Sequence, residues 1–387
     1  MRRFPIALFT LTLVSHAPFA VGLAYALGLT GLPHAGWLAV ILALVPILLS
    51  KGRLARARGD EPIPRWRLLL VEEPYHAHWL ATVAAWPLVA LTGGGVLIHV
   101  ALAPPGGAVG LERRLGAATL ASYVAALLIS SYGVMVRRRW VRVRALDVPI
   151  AGLDAAFDGY RIAHLSDLHI GGLWPRGRAA RWSDRVGALD VDLVALTGDY
   201  VTSGDAFHED IAAVLSSMRA RDGVVAVLGN HDYLGDVEAL VTRLRAGGVE
   251  VLRNEHRLLA RGAAAVTIAG VDDTSTRRAD VARALEGRSE ALPLIVLAHD
   301  PQLFPELARR GAALVLSGHT HWGQIAVPFL ATRWNFSRLS YRYHAGTYRE
   351  GGTLLYISPG LGTTGPPVRL GAPPEITVLR LRRVEHG

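Results

Sequence analysis

The 387-residue chain is long enough for two domains. Its apolar fraction of 51% and mean hydropathy of +0.29 are high for a chain that folds wholly in water, so we expect part of it to lie in lipid. The absence of cysteine excludes disulfides, catalytic thiols and thiolate zinc sites. Any metal ion must therefore be held by His, Asp, Glu, Asn or backbone groups.

The net charge of +9 is unevenly distributed. Residues 1–145 contain 15 Lys or Arg against 5 Asp or Glu, whereas the remainder is close to neutral. The basic residues therefore belong to segments that flank apolar stretches and do not form a general nucleic-acid surface. We expect no nucleic-acid partner.

Four apolar stretches occupy the first third of the chain: Ile6–Leu29, Gly36–Ser50, His78–Leu102 and Leu115–Val136. The first, third and fourth reach the ~20 residues needed to cross a ~30 Å hydrocarbon layer, whereas the second is short and contains Pro46. We therefore predict that residues 1–145 form a membrane anchor with about four transmembrane helices. The lipid bilayer is then a permanent partner of the chain.

Basic residues cluster after the second and fourth apolar stretches, with six Lys or Arg in 51–67 and five Arg in 137–144. By the positive-inside rule, both chain ends face the cytoplasm and the anchor crosses the cell (inner) membrane several times. Residues 146–387 are then predicted to be a cytoplasmic domain. Removal of the N-terminus as a signal peptide near Ala17 is an alternative, and it would leave the later spans in place.

Short β-branched runs alternate with amphipathic helical stretches after residue 160. Tyr160–Ser166, Asp192–Thr197 and Val224–Leu228 are typical of buried strands, and helices are predicted over Arg178–Leu189 and His208–Arg221. Strands that alternate with helices in this way indicate a layered α/β domain.

Polar clusters follow the ends of five predicted strands. They are Ser166-Asp167-Leu168-His169, Thr197-Gly198-Asp199, Gly229-Asn230-His231-Asp232, Ala298-His299-Asp300 and Ser317-Gly318-His319-Thr320-His321. Open α/β sheets bind ligands beyond the carboxyl ends of their strands, so we expect these clusters to meet. A set of Asp, Asn and His ligands suits Mn²⁺, Fe or Zn²⁺ in five- or six-coordinate geometry.

These clusters, in this order, resemble the calcineurin-like metallophosphoesterase family. The resemblance covers about residues 155–385, and Gly346-Thr347-Tyr348 and Ser358–Thr363 resemble its membrane-associated bacterial branch. It implies a four-layer α/β/β/α sandwich that holds two divalent metal ions, with Mn²⁺ as first choice and Fe or Zn²⁺ as alternatives. The resemblance assigns one ion to Asp167, His169 and His321, the second to Asn230, His299 and His319, and a bridging position to Asp199.

The predicted reaction is hydrolysis of a phosphodiester or pyrophosphate bond by a hydroxide that both metal ions hold. His231 is predicted to protonate the leaving oxygen, and Asp232 to orient the His231 ring. The membrane anchor favours a lipid-linked substrate, of which UDP-2,3-diacylglucosamine is one specific candidate. Two alternatives remain, namely a broad phosphomonoesterase or protein phosphatase and a non-enzymatic membrane scaffold or metal sensor.

Three aromatic features have open interpretations. Trp322 stands where the family branch commonly has glycine, and it either narrows the site or packs structurally. Leu173–Trp182 and Phe329–Tyr343 both mix aromatic residues with arginines. We expect these two segments to rim the metal site and contact lipid headgroups, the alternative being ordinary loops.

Overall fold

The computed structural model describes residues 3–56, 61–103 and 109–384 and divides the chain into two compact units. The helical unit comprises residues 1–57 and 64–136, and the sheet unit comprises residues 58–63 and 137–387. The predicted boundary at 145/146 falls inside a strand of the sheet unit, Arg142–Ile150. This strand was not predicted from the sequence, because its basic side chains obscure the apolar alternation of a half-exposed edge strand.

Among the described residues, the helical unit consists of five apolar helices of 13 to 29 residues and one three-residue helical turn. They are α1 (Arg3–Ser15), α2 (Ala17–Leu29), α3 (Ala35–Arg56), α4 (Arg65–Arg67), α5 (Glu73–Ala101) and α6 (Leu111–Ser131). A π-helical turn at Leu68–Glu72 joins α4 to α5, and α6 continues as a π-helical turn, Tyr132–Val136. The first predicted stretch is interrupted at His16, where α1 ends and α2 begins with Pro18 in its first turn.

Three segments among the described residues are long and apolar enough to cross a membrane: Phe9–Leu29, Arg65–Ala101 and Leu111–Arg139. The expectation of about four spans is met for these three, whereas the apolar part of α3, Ala35–Leu49, is shorter than a full span.

The sheet unit contains two six-stranded sheets. The first has the order β1-β12-β2-β3-β4-β5 and the second the order β10-β11-β9-β8-β7-β6. Their strands are β1 (Arg142–Ile150), β2 (Arg161–Leu165), β3 (Leu193–Thr197), β4 (Val224–Val227), β5 (Val249–Val251), β6 (Glu255–Arg261), β7 (Ala264–Val271), β8 (Leu294–Ala298), β9 (Ala312–Ser317), β10 (Gly346–Glu350), β11 (Thr353–Ile357) and β12 (Glu375–Arg383).

Three apolar cores separate four layers. The first core lies between the first sheet and the helices α7 (Arg176–Gly187), α8 (His208–Ser216) and α9 (Val237–Ala246). The second core fills the space between the sheets with residues such as Ile162 and Leu297. The third lies between the second sheet and α10 (Val281–Ala284) and α11 (Phe304–Arg309). The α/β/β/α prediction is therefore confirmed.

Candidate metal centre

The predicted ligands follow five parallel strands. β2, β3 and β4 are neighbours in the first sheet, and β8 and β9 are neighbours in the second. Because parallel strands end at a common edge, the loops after them converge. Side chains from the two sheets meet there, as the 3.3 Å distance between His299 Nε2 and Asp199 Oδ2 demonstrates.

The backbone of these loops is unusual. Five of the seven predicted metal ligands have a positive φ, between 45° and 68°: Asp167, His169, Asp199, His319 and His321. Residues other than glycine seldom adopt this left-handed conformation, and each instance costs of order 1–3 kcal/mol. Such a concentration of strain in five ligand residues is typical of a functional site, because the turns aim the side chains at a common point.

Two glycines permit the close approach of the ligand loops. A Cβ atom on Gly229 would lie 2.3 Å from Oδ1 of Asp199, and one on Gly318 would lie 2.3 Å from Oδ2 of Asp167. Both distances are far below van der Waals contact, so any larger residue would displace a predicted ligand. Steric contact with a neighbouring ligand thus explains why glycine precedes Asn230 and His319 in the sequence.

The first ligand group is Asp167, His169 and His321. Their ligand atoms lie within 4.8 Å of one another. His321 Nε2 is 3.3 Å from Asp167 Oδ1 and 3.0 Å from His169 Nε2. All three side chains are buried, with at most 3% of their surface exposed.

The second ligand group is Asp199, Asn230, His299 and His319. The ligand atoms of Asp199, His299 and His319 lie within 4.8 Å of one another, and His319 Nδ1 is 3.2 Å from His299 Nε2. Asp199 also approaches the first group, because its Oδ2 is 3.7 Å from His169 Nε2. The carboxylate of Asp199 thus lies within reach of both groups, as a bridging ligand would require.

Hydrogen bonds from the far side of two histidine rings determine which nitrogen faces the site. His169 Nδ1 lies 3.1 Å from the carbonyl oxygen of Val201, and His299 Nδ1 lies 2.7 Å from that of Thr197. Since a carbonyl only accepts, each Nδ1 carries a hydrogen and each Nε2 is the nitrogen that faces the site. Metal-binding histidines are oriented by contacts of this kind.

Buried charges set the electrostatics of the two groups apart. Burial opposes ionisation of His299, but the neighbouring carboxylates of Asp199 and Asp167 raise its pKa to about 10. Burial lowers the pKa of His169 to about 3, so this ring is neutral at pH 7. Burial also raises the pKa of Asp167 to about 6. A proton on His299 thus occupies a position that a metal cation could take.

One unpartnered atom tests whether the donor set fits a metal ion. Among the described residues, Oδ1 of Asn230 is buried without a hydrogen-bond partner. A buried carbonyl oxygen that lacks a donor is costly, and a cation removes that cost. This oxygen, four imidazole nitrogens and two carboxylates are ligands of the type that Mn²⁺, Fe or Zn²⁺ accept. The residues fit a two-ion centre.

His231 and Asp232 require a correction. The His231 ring stands 4.8 Å from the His169 ring, beside the ligands as predicted. Its Nδ1 lies 2.7 Å from the carbonyl oxygen of Thr202, so Thr202 orients the ring and Asp232 does not. Asp232 instead accepts four backbone N–H bonds of 2.8–3.1 Å, from Gly229, Asp199, Tyr200 and Val201. Its role is to hold two ligand loops together.

Two further residues support the ligands and were not predicted. The Tyr341 hydroxyl lies 3.1 Å from His319 Nε2, on the side of the ring opposite to Nδ1. Arg369 is fully buried, and its Nη2 lies 3.4 Å from His321 Nδ1 while the guanidinium donates to the carbonyl oxygens of Pro359 and Gly362. Tyr341 belongs to an aromatic segment that the sequence did single out, whereas no local pattern marks Arg369.

The three aromatic features differ in how far their side chains are exposed. Trp322 is buried, and its Nε1 donates to the carbonyl oxygen of Ile357, so structural packing is the correct interpretation. Trp174 and Trp182 are also buried and stack on each other at 5.3 Å. Leu173–Trp182 therefore presents no tryptophan to lipid, contrary to expectation. Phe329–Tyr343 does expose apolar side chains, among them Phe329 and Leu339.

Comparison with known proteins identifies the family. Residues 160–323 match the family model described as Calcineurin-like phosphoesterase. The uncharacterized metallophosphoesterase YkuE of Bacillus subtilis is 32% identical over 232 residues, which are 58% of this chain and 80% of YkuE. The chain therefore belongs to the calcineurin-like metallophosphoesterase family. Among solved structures, phosphopantetheinyl hydrolase from Mycobacterium tuberculosis matches with 15% identity and a TM-score of 0.34, over 52% of this chain and 89% of that one.

A vertebrate relative extends the similarity to membrane proteins. The protein named "Transmembrane protein with metallophosphoesterase domain" from Danio rerio is 32% identical over 291 residues, which are 70% of this chain and 65% of the relative. The chain thus spans 65% of the length of the vertebrate relatives that it matches. Together with the three long apolar helices, this similarity indicates a membrane protein. The assignment to a bacterial branch is not borne out, since relatives from an animal and from a bacterium match this chain at the same 32% identity.

Proposed function

We propose that the protein is a metal-dependent hydrolase of phosphoric esters or anhydrides that uses two divalent ions. The position of Asp199 supports this most directly. Its Oδ2 lies 3.7 Å from His169 Nε2 and 3.3 Å from His299 Nε2, so one carboxylate stands between the two ligand groups. Two cations a few ångströms apart repel each other, and a shared carboxylate offsets that repulsion. Mn²⁺ is the first choice, with Fe or Zn²⁺ as alternatives.

In this proposal the chain supplies ligands, orientation and a proton. A pair of ions held by these ligands would lower the pKa of a water molecule and neutralise phosphate oxygens. Because Thr202 fixes the hydrogen of His231 on Nδ1, the opposite nitrogen of this ring is available to exchange a proton with the leaving oxygen. Asp232 and Gly229 keep the loops that carry Asp199 and Asn230 in contact.

The proposed substrate is a lipid-linked phosphodiester or pyrophosphate at the cytoplasmic face of the inner membrane, reached by a domain on a multi-pass anchor. The apolar helices and the basic residues that follow them in the sequence support this arrangement. UDP-2,3-diacylglucosamine is one compound of this class. The anchor supports the bilayer as a partner, and the chemistry of the ligand set supports a phosphorylated lipid as the substrate.

Turnover of bis-p-nitrophenyl phosphate tests the core of the proposal. The purified full chain should hydrolyse this soluble diester with Mn²⁺ and lose the activity in EDTA, and Asp199→Ala should be inactive in both. Wild-type protein that contains two equivalents of metal and gives no turnover on this diester or any phosphoric ester would contradict it. Asp184→Ala, which alters an exposed residue of α7, is the matched control.

A substrate panel tests the finer proposal. Metal-loaded protein should turn over micellar phospholipids or UDP-2,3-diacylglucosamine faster than a phosphopeptide. Preference for the phosphopeptide would favour a protein phosphatase and overturn the lipid-linked substrate, while metal-dependent hydrolysis itself would stand.

A further inference from the structure

A segment that follows the metal ligands exposes an unusual amount of apolar surface. Residues 325–343, called the docking segment below, begin four residues after His321. Six of their large apolar side chains are between 43% and 104% exposed: Val327, Phe329, Leu330, Trp334, Phe336 and Leu339. Phe329 and Leu339 are the most exposed of these. Clusters of this kind on a folded protein mark an interaction surface.

The docking segment is an ordered structure and not a loose loop. The backbone N–H of Val327 donates to the carbonyl oxygen of Trp334, and Ala326 forms a β-bridge with Asn335. Asn335 caps the short helix Phe336–Leu339 by accepting from the N–H of Arg338. The segment is fixed to the domain at Ser337, which is buried. Its apolar side chains are therefore held outward by a defined backbone.

The charge of the docking segment has one sign. Arg333, Arg338 and Arg342 are exposed, and the sequence contains no acidic residue from 325 to 349. The guanidinium of Arg338 lies 5.1 Å from the centre of the Trp334 ring. Aromatic rings interleaved with arginines suit the interface of a bilayer with anionic lipids, where rings enter the headgroup layer and guanidinium groups pair with phosphates.

We propose that the docking segment binds the surface of an anionic lipid bilayer. Three candidate membrane spans lie among the described residues of the same chain, so a bilayer is the partner that is always present. A second copy of the chain is a poorer occupant, because a two-fold contact would place arginines against arginines.

This docking links the membrane to the metal centre. Tyr341, at the end of the docking segment, lies 3.1 Å from His319 Nε2 in the second ligand group. Docking therefore brings the second ligand group next to lipid headgroups, which is where a lipid-linked phosphate would be found. This consequence rests on the proposed function, whereas the docking itself does not.

Spin labels can test the docking, because the chain has no native cysteine. Phe329→Cys and Leu339→Cys place a label on the docking segment, and Leu258→Cys is the matched control at an exposed leucine on β6. Each full-length variant is labelled and reconstituted in nanodiscs of phosphatidylcholine with phosphatidylglycerol. We expect labels at 329 and 339 to collide more often with oxygen than with the water-soluble nickel complex Ni-EDDA, and the label at 258 to show the reverse. Each of Arg333→Gln, Arg338→Gln and Arg342→Gln should lower the docked fraction, by roughly fivefold in the docked-to-free ratio.

Two results would overturn the docking. In one, labels at 329 and 339 behave like the label at 258. In the other, spectra broaden because labels of two copies lie against each other, which would identify a second copy as the occupant. Turnover of bis-p-nitrophenyl phosphate by the same labelled proteins reports separately on the proposed function. Activity without lipid contact would refute only the binding of the docking segment to the bilayer. Lipid contact without activity would refute only the proposed hydrolase function.

Discussion

The two ligand groups of the metal centre are built in different ways. In the first group, Asp167, His169 and His321 are all buried, and the residue behind them is the fully buried Arg369. In the second group, Asp199 and His299 are buried, but Asn230 and His319 are partly exposed. The residue behind His319 is Tyr341, which belongs to the exposed docking segment. One half of the site is closed and the other faces outward.

The first ligand group is the more firmly supported one, and the second is the one that a substrate can reach. Burial lowers the pKa of Arg369 to about 9, so its guanidinium remains a cation at pH 7 within hydrogen-bonding distance of His321. The first group is thus fixed from behind by a charge and by backbone carbonyls. In the second group His319 is supported by the neutral hydroxyl of Tyr341, and this group presents the surface on which a substrate can arrive. We expect the two ions to differ in affinity, proton release and response to mutation.

Removal of the residue between the groups should have the largest effect. Asp199→Ala deprives both ligand groups of their shared carboxylate, so we expect metal content near zero and activity at background. Elemental analysis beside turnover of bis-p-nitrophenyl phosphate measures both. Asp184→Ala should keep both ions. Retention of two ions by the Asp199→Ala protein would show that this carboxylate does not bridge the groups.

The parts of this site that sequence could predict are local. An apolar run followed by Asp, Asn, Gly and His marks the end of β2, β3 and β4, because strand and turn preferences act over a few residues. The order of these clusters then carries the family resemblance. Tyr341 and Arg369 could not be assigned, because each reaches its histidine from 22 or 48 residues away along the chain. Such contacts depend on tertiary packing, which local preferences do not specify.

Local sequence patterns also led to wrong expectations in two places. His231 and Asp232 are neighbours, but they lie in a 3₁₀ turn, Asn230–Tyr233, whose three residues per turn point successive side chains in different directions. Asp232 therefore faces the backbone of Asp199 and Tyr200 while His231 faces the site. Trp174 and Trp182 resemble Trp334 in composition of their surroundings, yet burial separates them. Trp182 faces inward from α7, and Trp174 in the preceding turn stacks on it, which is a tertiary contact that composition does not reveal.

Replacement of His231 should separate catalysis from metal binding. His231→Ala removes the ring beside both ligand groups but none of the predicted ligands, so we expect turnover to fall ~10²–10⁴-fold with metal content unchanged. His256→Ala, which changes a histidine on β6, is the control and should leave turnover unaffected. A metal-free His231→Ala protein would instead make His231 a ligand, since its ring nitrogen belongs to a group with His169 and Asp199.

Paired substitutions behind the two histidines would sharpen the contrast between the groups. Tyr341→Phe removes the hydroxyl that orients His319, so we expect the ion of the second group to bind ~10–100-fold more weakly and the other ion to be unaffected. Arg369→Met should lower the affinity of the first group for its ion. Two-step metal titration by calorimetry separates the ions, and a melting curve of each variant controls for misfolding. If Tyr341→Phe lowered the metal affinity of both titration steps equally, the two ligand groups would not bind their ions independently.

The smallest expected difference is in proton release. At pH 7–8 the first group needs to lose no proton, because burial lowers the pKa of His169 to about 3 and that of His321 well below its usual value, while Asp167, with a pKa of about 6, is ionised. His299 is protonated in the free protein up to a pKa of about 10, so an ion in the second group must displace one proton. Its affinity should therefore rise about tenfold per pH unit, while that of the first ion stays flat. Calorimetry in buffers of different ionisation enthalpy measures this directly, and equal proton release in both steps would remove the electrostatic distinction between the two halves of the site.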